Sequence, residues 1–394
     1  MIKTLFNRSC ANVRWNHKYA YMTPKAYEKT TKPIEHALTI RPDSYKNKAF
    51  FDLEKKRIFQ SKPIPIGYTN ELDDNNIIST NLHDIPIILT KDNTNKISAY
   101  YNVCRHRGCK LVQENSSSKV MACPYHKWTY SLSGNLIGTP RYKPDKDVFN
   151  KKDYSLFPIN IDIVNNIIFA KLDNCMGIDS EKYYGDAFDI LNDYPLNKCK
   201  IVKTKTYEID ANWKLLIDNF IEYYHLPAVH PGLVTNSGME EHVCTQGEGK
   251  YIGFKTDPLT SSGKAIDVER SVPFAELHEK YRKAAHFQML YPNMFYFLFP
   301  NHMFSVIVTP VSPTKSIEKA TLFVNDTSDQ AWIDELWGFY DEVNTEDLEI
   351  CERVQEGLKC DVYNGGRMVP KYESTIHRFH KMVIDDMTLF KHTH

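Results

Sequence analysis

The sequence predicts an α+β protein of two units, a β-rich N-terminal one and a C-terminal one mixing strands with a few long helices. Three observations predict it. The 394 residues are 42% hydrophobic and 25% charged, ordinary proportions for an enzyme with material for two cores. From about residue 48 to 170 the chain is a series of short apolar, β-branched runs (85–89, 97–103, 120–122, 128–132 and 161–172) separated by polar turns. Beyond 183, strand-like runs at 201–209, 246–255 and 289–310 mix with helical periods at 213–225, 274–283 and 329–357, without the alternation of βαβ units.

Taken in order, residues 1–27 carry Lys3, Arg8, Arg14, Lys18 and Lys25 and no acid. That pattern is similar to an organelle leader, most simply a mitochondrial one; without import the chain stays cytoplasmic. The N-terminal unit is placed at 45–170, with Ser133-Gly134-Asn135 as a hairpin turn and 140–152 as a charged loop, and the C-terminal unit at 183–390. Lys+Arg and Asp+Glu both number 49, so no charge excess points to nucleic acid. The most apolar stretch, 287–311, is broken by Pro292, Asn293, Pro300, Asn301 and His302, so no membrane span is expected. Nine cysteines are too few, and odd in number, for a disulfide scaffold.

Two constellations carry chemistry. In the first, Cys104-Arg105-His106 is followed, after sixteen intervening residues, by Cys123-Pro124-Tyr125-His126. Two thiolates and two imidazoles suit zinc, or a [2Fe–2S] centre with both cysteines on one iron and both histidines on the other. Zinc fingers group cysteine with cysteine; the alternation here suits two irons clasped by two similar loops. In the second, Asp218, Glu222 and His225 fall at i, i+4 and i+7, one helical face. Pro227 then disfavours continuation, so His230 can turn back beside His225. Two imidazoles with one carboxylate form a facial triad for Fe(II) with open positions.

Cys104-Arg105-His106-Arg107-Gly108 with Cys123-Pro124-Tyr125-His126-Lys127-Trp128-Thr129-Tyr130 resembles the cluster motif of Rieske-type non-haem iron oxygenases. The resemblance spans roughly 45–385. It implies a Rieske [2Fe–2S] cluster on Cys104, His106, Cys123 and His126, and a mononuclear Fe(II) in a helix-grip, START-like antiparallel sheet domain. His225 and His230 match two iron ligands, and Asp347, in Glu346-Asp347-Leu348-Glu349-Ile350-Cys351-Glu352, matches the third. Glu346, Glu349 and Glu352 read as a solvated face. Glu222 matches the acidic residue that links a neighbouring subunit's Rieske histidine to an iron-ligating one, and glutamate there resembles the choline and carnitine monooxygenase branch.

The resemblance further implies a homotrimer, a ferredoxin or flavin reductase as electron donor, and O₂ with a small molecule as substrates. Choline, hydroxylated to betaine aldehyde, is the expected one. Oxidative demethylation or ring dihydroxylation is the alternative reaction, and a Rieske electron carrier the alternative without catalysis. Tyr291, Phe295, Tyr296, Phe297, Phe299 and Phe304 are candidates to face a cation. The chain also resembles the respiratory Rieske protein at Cys109, but Pro124-Tyr125 leave that cysteine no partner, so it is expected to be buried. Where that protein has a serine hydroxyl near the cluster, Trp128 stands here, which implies a low reduction potential.

Overall fold

The computed structural model describes residues 21–388 apart from 144, 146–147, 174–176, 232–241, 246, 257–272 and 326–328. Most of the expected leader, residues 1–20, and the segment 258–272 lie outside the described residues. Tyr21 and Tyr27 are buried in the body of the protein.

The N-terminal unit is two antiparallel sheets. β1 (Ile64–Tyr68), β2 (Ile77–Leu82), β3 (Ile85–Lys91), β4 (Ile97–Tyr101), β8 (Pro158–Val164) and β9 (Ile167–Lys171) form a six-stranded sheet in the order β1-β9-β8-β4-β3-β2. A small sheet of β5 (Val120–Ala122), β6 (Thr129–Ser131) and β7 (Leu136–Gly138) projects from it between β4 and β8. The expected turn at Ser133-Gly134-Asn135 joins β6 to β7, with Gly134 at φ +78°. Here Tyr100 packs so closely that no side chain fits.

The C-terminal unit is a seven-stranded antiparallel sheet, in the order β10-β16-β15-β14-β13-β12-β11. Its strands are β10 (Lys200–Ile209), β11 (His242–Thr245), β12 (Tyr251–Thr256), β13 (Ala285–Leu290), β14 (Met294–Leu298), β15 (His302–Ser312) and β16 (Lys315–Val324). The run at 289–310 is thus parts of three strands. Alternate residues split between two cores: Phe295, Phe304, Val306, Ala320 and Leu322 face the helices, while Met294, Tyr296, Met303 and Phe323 face the N-terminal unit. The helical face is covered by a site helix (Trp213–Phe220), a long helix (Gln330–Gly357) and a terminal helix (Ser374–Met387). The long helix begins as expected, with the Asp329 side chain accepting from Trp332 N–H.

Two helical expectations are corrected. At 274–283 only a 3₁₀ turn, Glu279–Tyr281, forms. Phe274 N–H is captured by the Pro300 carbonyl and its ring is buried, so tertiary contacts override helical propensity. The helix expected over 213–225 stops at Phe220. The Glu222 carboxylate accepts from the N–H groups of Tyr224 and His225, and this local bonding competes with helix continuation.

The chain preceding β1 also departs from the β-rich reading. After two 3₁₀ turns (Pro24–Tyr27 and Pro42–Tyr45) it forms an arm helix (Lys48–Glu54), capped by Asn47. The arm packs on the C-terminal unit: Ile40 N–H donates to His380 Nδ1 at 3.2 Å, and Tyr45 donates to Asp218 at 2.8 Å. Glu54 and Lys214 form an ion pair of 2.7 Å with both side chains fully buried.

Candidate active site with two metal centres

The first centre rests on two loops of one design. In each, the cysteine N–H donates to the carbonyl five residues on (Cys104 to Cys109, Cys123 to Trp128) at 2.8 Å. In each, the cysteine carbonyl accepts from the N–H four residues on (Gly108 at 3.0 Å, Lys127 at 2.9 Å). That fourth residue is left-handed in both, at φ +70° for Gly108 and +59° for Lys127. Glycine takes this conformation freely, whereas a lysine is held in it by the closed ring. The loops bury Cys104 and Cys123 and set the His106 and His126 rings 4.6 Å apart at 72°.

This donor set fits a two-iron cluster. His126 Nδ1 is buried with no hydrogen-bond partner, which is the state of an imidazole nitrogen reserved for a metal. Both thiols are free. The four side chains do not gather on one point among the described residues, as a lone tetrahedral zinc requires.

Trp128 stacks flat on His106, at 4.7 Å and 10°. The hydroxyl missing from position 128 is supplied two residues later: Tyr130 Oη accepts from Arg105 N–H at 3.0 Å and lies 3.4 Å from Cys104 Sγ. A hydroxyl therefore does reach a cysteine sulfur, a contact that the identity of residue 128 alone does not reveal. Tyr130→Phe should lower the cluster's midpoint potential with its spectrum unchanged; redox titration checks this. Cys109 is half-buried rather than fully buried; it packs against the core under the cluster loops, and its carbonyl closes the first of them.

At the second centre, the ligand atoms of His225, His230 and Asp347 lie within 4.8 Å of one another. One helical turn, Leu226–Val229, carries the chain from His225 to His230. Pro227 sits in its first turn, where a missing N–H costs nothing. Asp347 Oδ1 is 2.8 Å from His230 Nε2 and 3.4 Å from His225 Nε2. Each imidazole turns its Nδ1 to a second carboxylate, His225 to Glu222 at 2.5 Å and His230 to Glu346 at 2.6 Å. Both Nε2 atoms are thereby aimed inward, the carboxylate–histidine–metal pattern.

The electrostatics favour a cation at this point. Burial works against a charged His225, yet hydrogen bonds and charge from Asp347 and Glu222 push its imidazole up to about 9. His230 is raised too, with Asp347 and Glu346 outweighing its burial. A bound divalent ion takes the place of those protons.

Sequence reasoning missed two residues here. Glu346, assigned to a wet face, holds His230; the signal was its place beside Asp347. Asn219 donates to Asp347 Oδ1 at 3.1 Å, and adjacency to the expected helix face was the only clue. Glu222 meets His225 from a turn, since it lies past the helix end.

Behind the site, the aromatic candidates divide. Phe295, Phe299, Phe304 and Tyr291 belong to the core on the helical face, with Phe297 packed against it, whereas Tyr296 belongs to the opposite core. Phe220, which follows Asn219, stacks on Phe295 at 5.4 Å and 25°. Tyr340 of the long helix stacks on Phe304 at 4.2 Å and 5°. No helix among the described residues is long and apolar enough to cross a membrane.

Comparison with known proteins agrees with this geometry. Residues 62–158 match the Rieske [2Fe-2S] domain, and residues 196–389 match the ring hydroxylating alpha subunit (catalytic domain). The chain is 26% identical to the chloroplastic choline monooxygenase of Arabidopsis thaliana, over 91% of this chain and 85% of that protein. It is 28% identical to the carnitine monooxygenase oxygenase subunit of Escherichia coli (strain K12), over 85% and 88%. Among solved structures, a quaternary ammonium Rieske monooxygenase of carnitine oxidation by gut microbiota superposes with TM-score 0.79 at 23% identity, covering 92% of this chain and 98% of that one. Naphthalene 1,2-dioxygenase from Rhodococcus sp. has TM-score 0.78 at 18% identity, covering 94% and 98%. With a Rieske domain, an α-subunit catalytic domain and a His-His-Asp centre in one chain, the protein belongs to the Rieske ring-hydroxylating oxygenase α-subunits and is choline/carnitine monooxygenase-like.

Proposed function

We propose that this enzyme hydroxylates a small quaternary-ammonium compound and that its substrate is choline, converted to betaine aldehyde. Aromatic side chains follow directly on the site helix, where Phe220, next to Asn219, stacks on Phe295. A quaternary cation has no N–H to donate, so ring faces are what can recognise it. The likeness to choline and carnitine monooxygenases supports the same substrate class.

A Rieske cluster on Cys104, His106, Cys123 and His126 would supply single electrons, and an iron held by His225, His230 and Asp347 would supply O₂-activating chemistry. The chain's own residues set the stage. His225, His230 and Asp347 hold the metal; Glu222 and Glu346 fix the imidazole tautomers, and Asn219 orients Asp347. The electrons come from a reductase partner, since the sequence has no nucleotide-binding glycine fingerprint.

The test is O₂ uptake by the reconstituted enzyme with choline, carnitine, glycine betaine and aromatic acids, with products identified. Coupled uptake and betaine aldehyde with choline are expected. Coupled turnover of an aromatic acid with the quaternary amines untouched overturns the reading.

The working unit is a homotrimer in which Glu222 accepts a Rieske histidine from the next subunit. Charge supports it. Arg105, Arg107, Lys110, Lys127, Arg141 and Lys143 around the cluster loops have no carboxylate partner among the described residues. The outer side of the long helix exposes Glu342, Glu349, Glu352 and Glu356. Glu222→Gln and Cys104→Ala variants, each inactive alone, should regain activity when co-assembled. Continued inactivity of verified mixed oligomers would mean that transfer runs within one chain.

A further inference from the structure

Behind Asp347 lies a carboxyl group that no cation balances among the described residues. Glu318 on β16 sits between Tyr207 of β10 and Val308 of β15 and is fully buried. It lies on the sheet face that meets the long helix. There Asn344, one turn before Asp347, donates Nδ2–H to Glu318 Oε1 at 2.6 Å. The other two polar atoms of this pair, Glu318 Oε2 and Asn344 Oδ1, are buried without partners. An ionised Glu318 leaves both as stranded acceptors, a costly arrangement away from water. A proton on Oε2 gives it a donor for Oδ1, and the two side chains then close a ring of two hydrogen bonds.

The surroundings favour that proton. Burial pushes the Glu318 carboxyl up to about 8, the Asn344 bond pulls it partly back, and the charge of Asp347 adds to the rise. Facing it from β10 is Tyr207, whose hydroxyl donates to Asp341. From the long helix come Asp341, Asp347 and Cys351; Val308 of β15 brings no charge. The nearby ammonium of Lys205 is taken up by Asp341 at 2.5 Å.

We propose that Glu318, held as a neutral carboxylic acid, pairs with Asn344 to fix the rotation of the long helix and so positions the Asp347 carboxylate toward the two histidines. Glu318 is a positioning residue: it acts through Asn344 and the helix. The inference rests on reading Asp347 as an iron ligand.

The test uses the whole enzyme and two variants. Glu318→Gln offers one donor and one acceptor in the same places, so it keeps the ring and removes the titration. Glu318→Met removes both bonds. Expected for Gln is mononuclear iron content and turnover within about twofold of native, and for Met a loss of iron retention of about tenfold, the scale of one stranded buried amide.

The pH dependence discriminates further. The folded-state acid is raised above its unfolded value, so its stabilisation is complete below about pH 4.5 and lost as pH climbs toward 8. The native enzyme should therefore lose melting temperature and bound iron across that range relative to Glu318→Gln, whose profile is flatter. Equal alkaline limbs in native and Gln enzymes, or a Gln variant as defective as Met, overturn the proposal. If Asp347→Ala keeps its iron, the ligand reading fails instead, and the difference between the native and Gln melting profiles still reports on the acid–amide pair.

Discussion

Asp347→Ala yields a protein without mononuclear iron and without turnover, whose reduced Rieske cluster keeps its rhombic EPR signal. The reason is geometric. Among the described residues, Asp347 is the carboxylate that faces both inward imidazole nitrogens, at 2.8 and 3.4 Å. Without it, two neutral rings with centroids 5.5 Å apart remain, and nothing on that side compensates a dication. The cluster loops hang from strands of the two N-terminal sheets and not from the sheet behind the triad, so the loss should not reach them. His225→Ala should behave the same way. Glu346→Ala is the graded companion: it frees His230 Nδ1 but leaves all three ligands, so iron affinity should fall by about 10–100-fold. Iron and acid-labile sulfide analysis with EPR checks all three variants. Joint loss of both signals would mean that these residues hold the fold and not the metal.

Lys214→Met gives a large stability loss away from the metal centres. The ammonium lies 2.7 Å from Glu54 Oε1 and 2.8 Å from Asn212 Oδ1, and over the rings of Tyr45, Trp213 and Phe50. Glu54 Oε2 accepts from Trp213 Nε1 at 3.3 Å. Removing the lysine charge leaves a fully buried carboxylate with one indole donor, a change that costs roughly 3–5 kcal/mol. Adding Glu54→Leu removes the stranded charge, so the double variant should recover much of that loss. Thermal or urea unfolding of the four proteins closes the cycle; a double variant no better than Lys214→Met would place the loss in packing.

What could be read in the sequence follows how local each feature is. Cys104/His106 and Cys123/His126 are legible because each loop carries its own pair, and His225 and His230 because one turn separates them. Asp347 came through family likeness, as its 122-residue distance from His225 leaves no local trace. Glu346 was lost in a charge pattern that looks solvated, because the histidine claiming it comes from another element. The helix end at Phe220 was missed because periodicity records side-chain faces and not a carboxylate bonding to the backbone ahead of it. Glu54 and Lys214, 160 residues apart, each look like surface charges until the fold brings them together. Tyr130 was within the motif; attention to the serine position alone hid it.

The arm that carries Ile40 and Glu54 also sets a timetable for biosynthesis. Lys214 is made 160 residues after Glu54, and His380 follows Ile40 by 340. At about 5–20 residues per second, Ile40 waits roughly 20–70 s for its acceptor. Among the described residues the strands from 64 to 171 pair with one another and can close in the meantime. The cluster-bearing half can thus be complete while the iron-bearing half still lacks its last helix, and the apolar arm needs shelter for that interval.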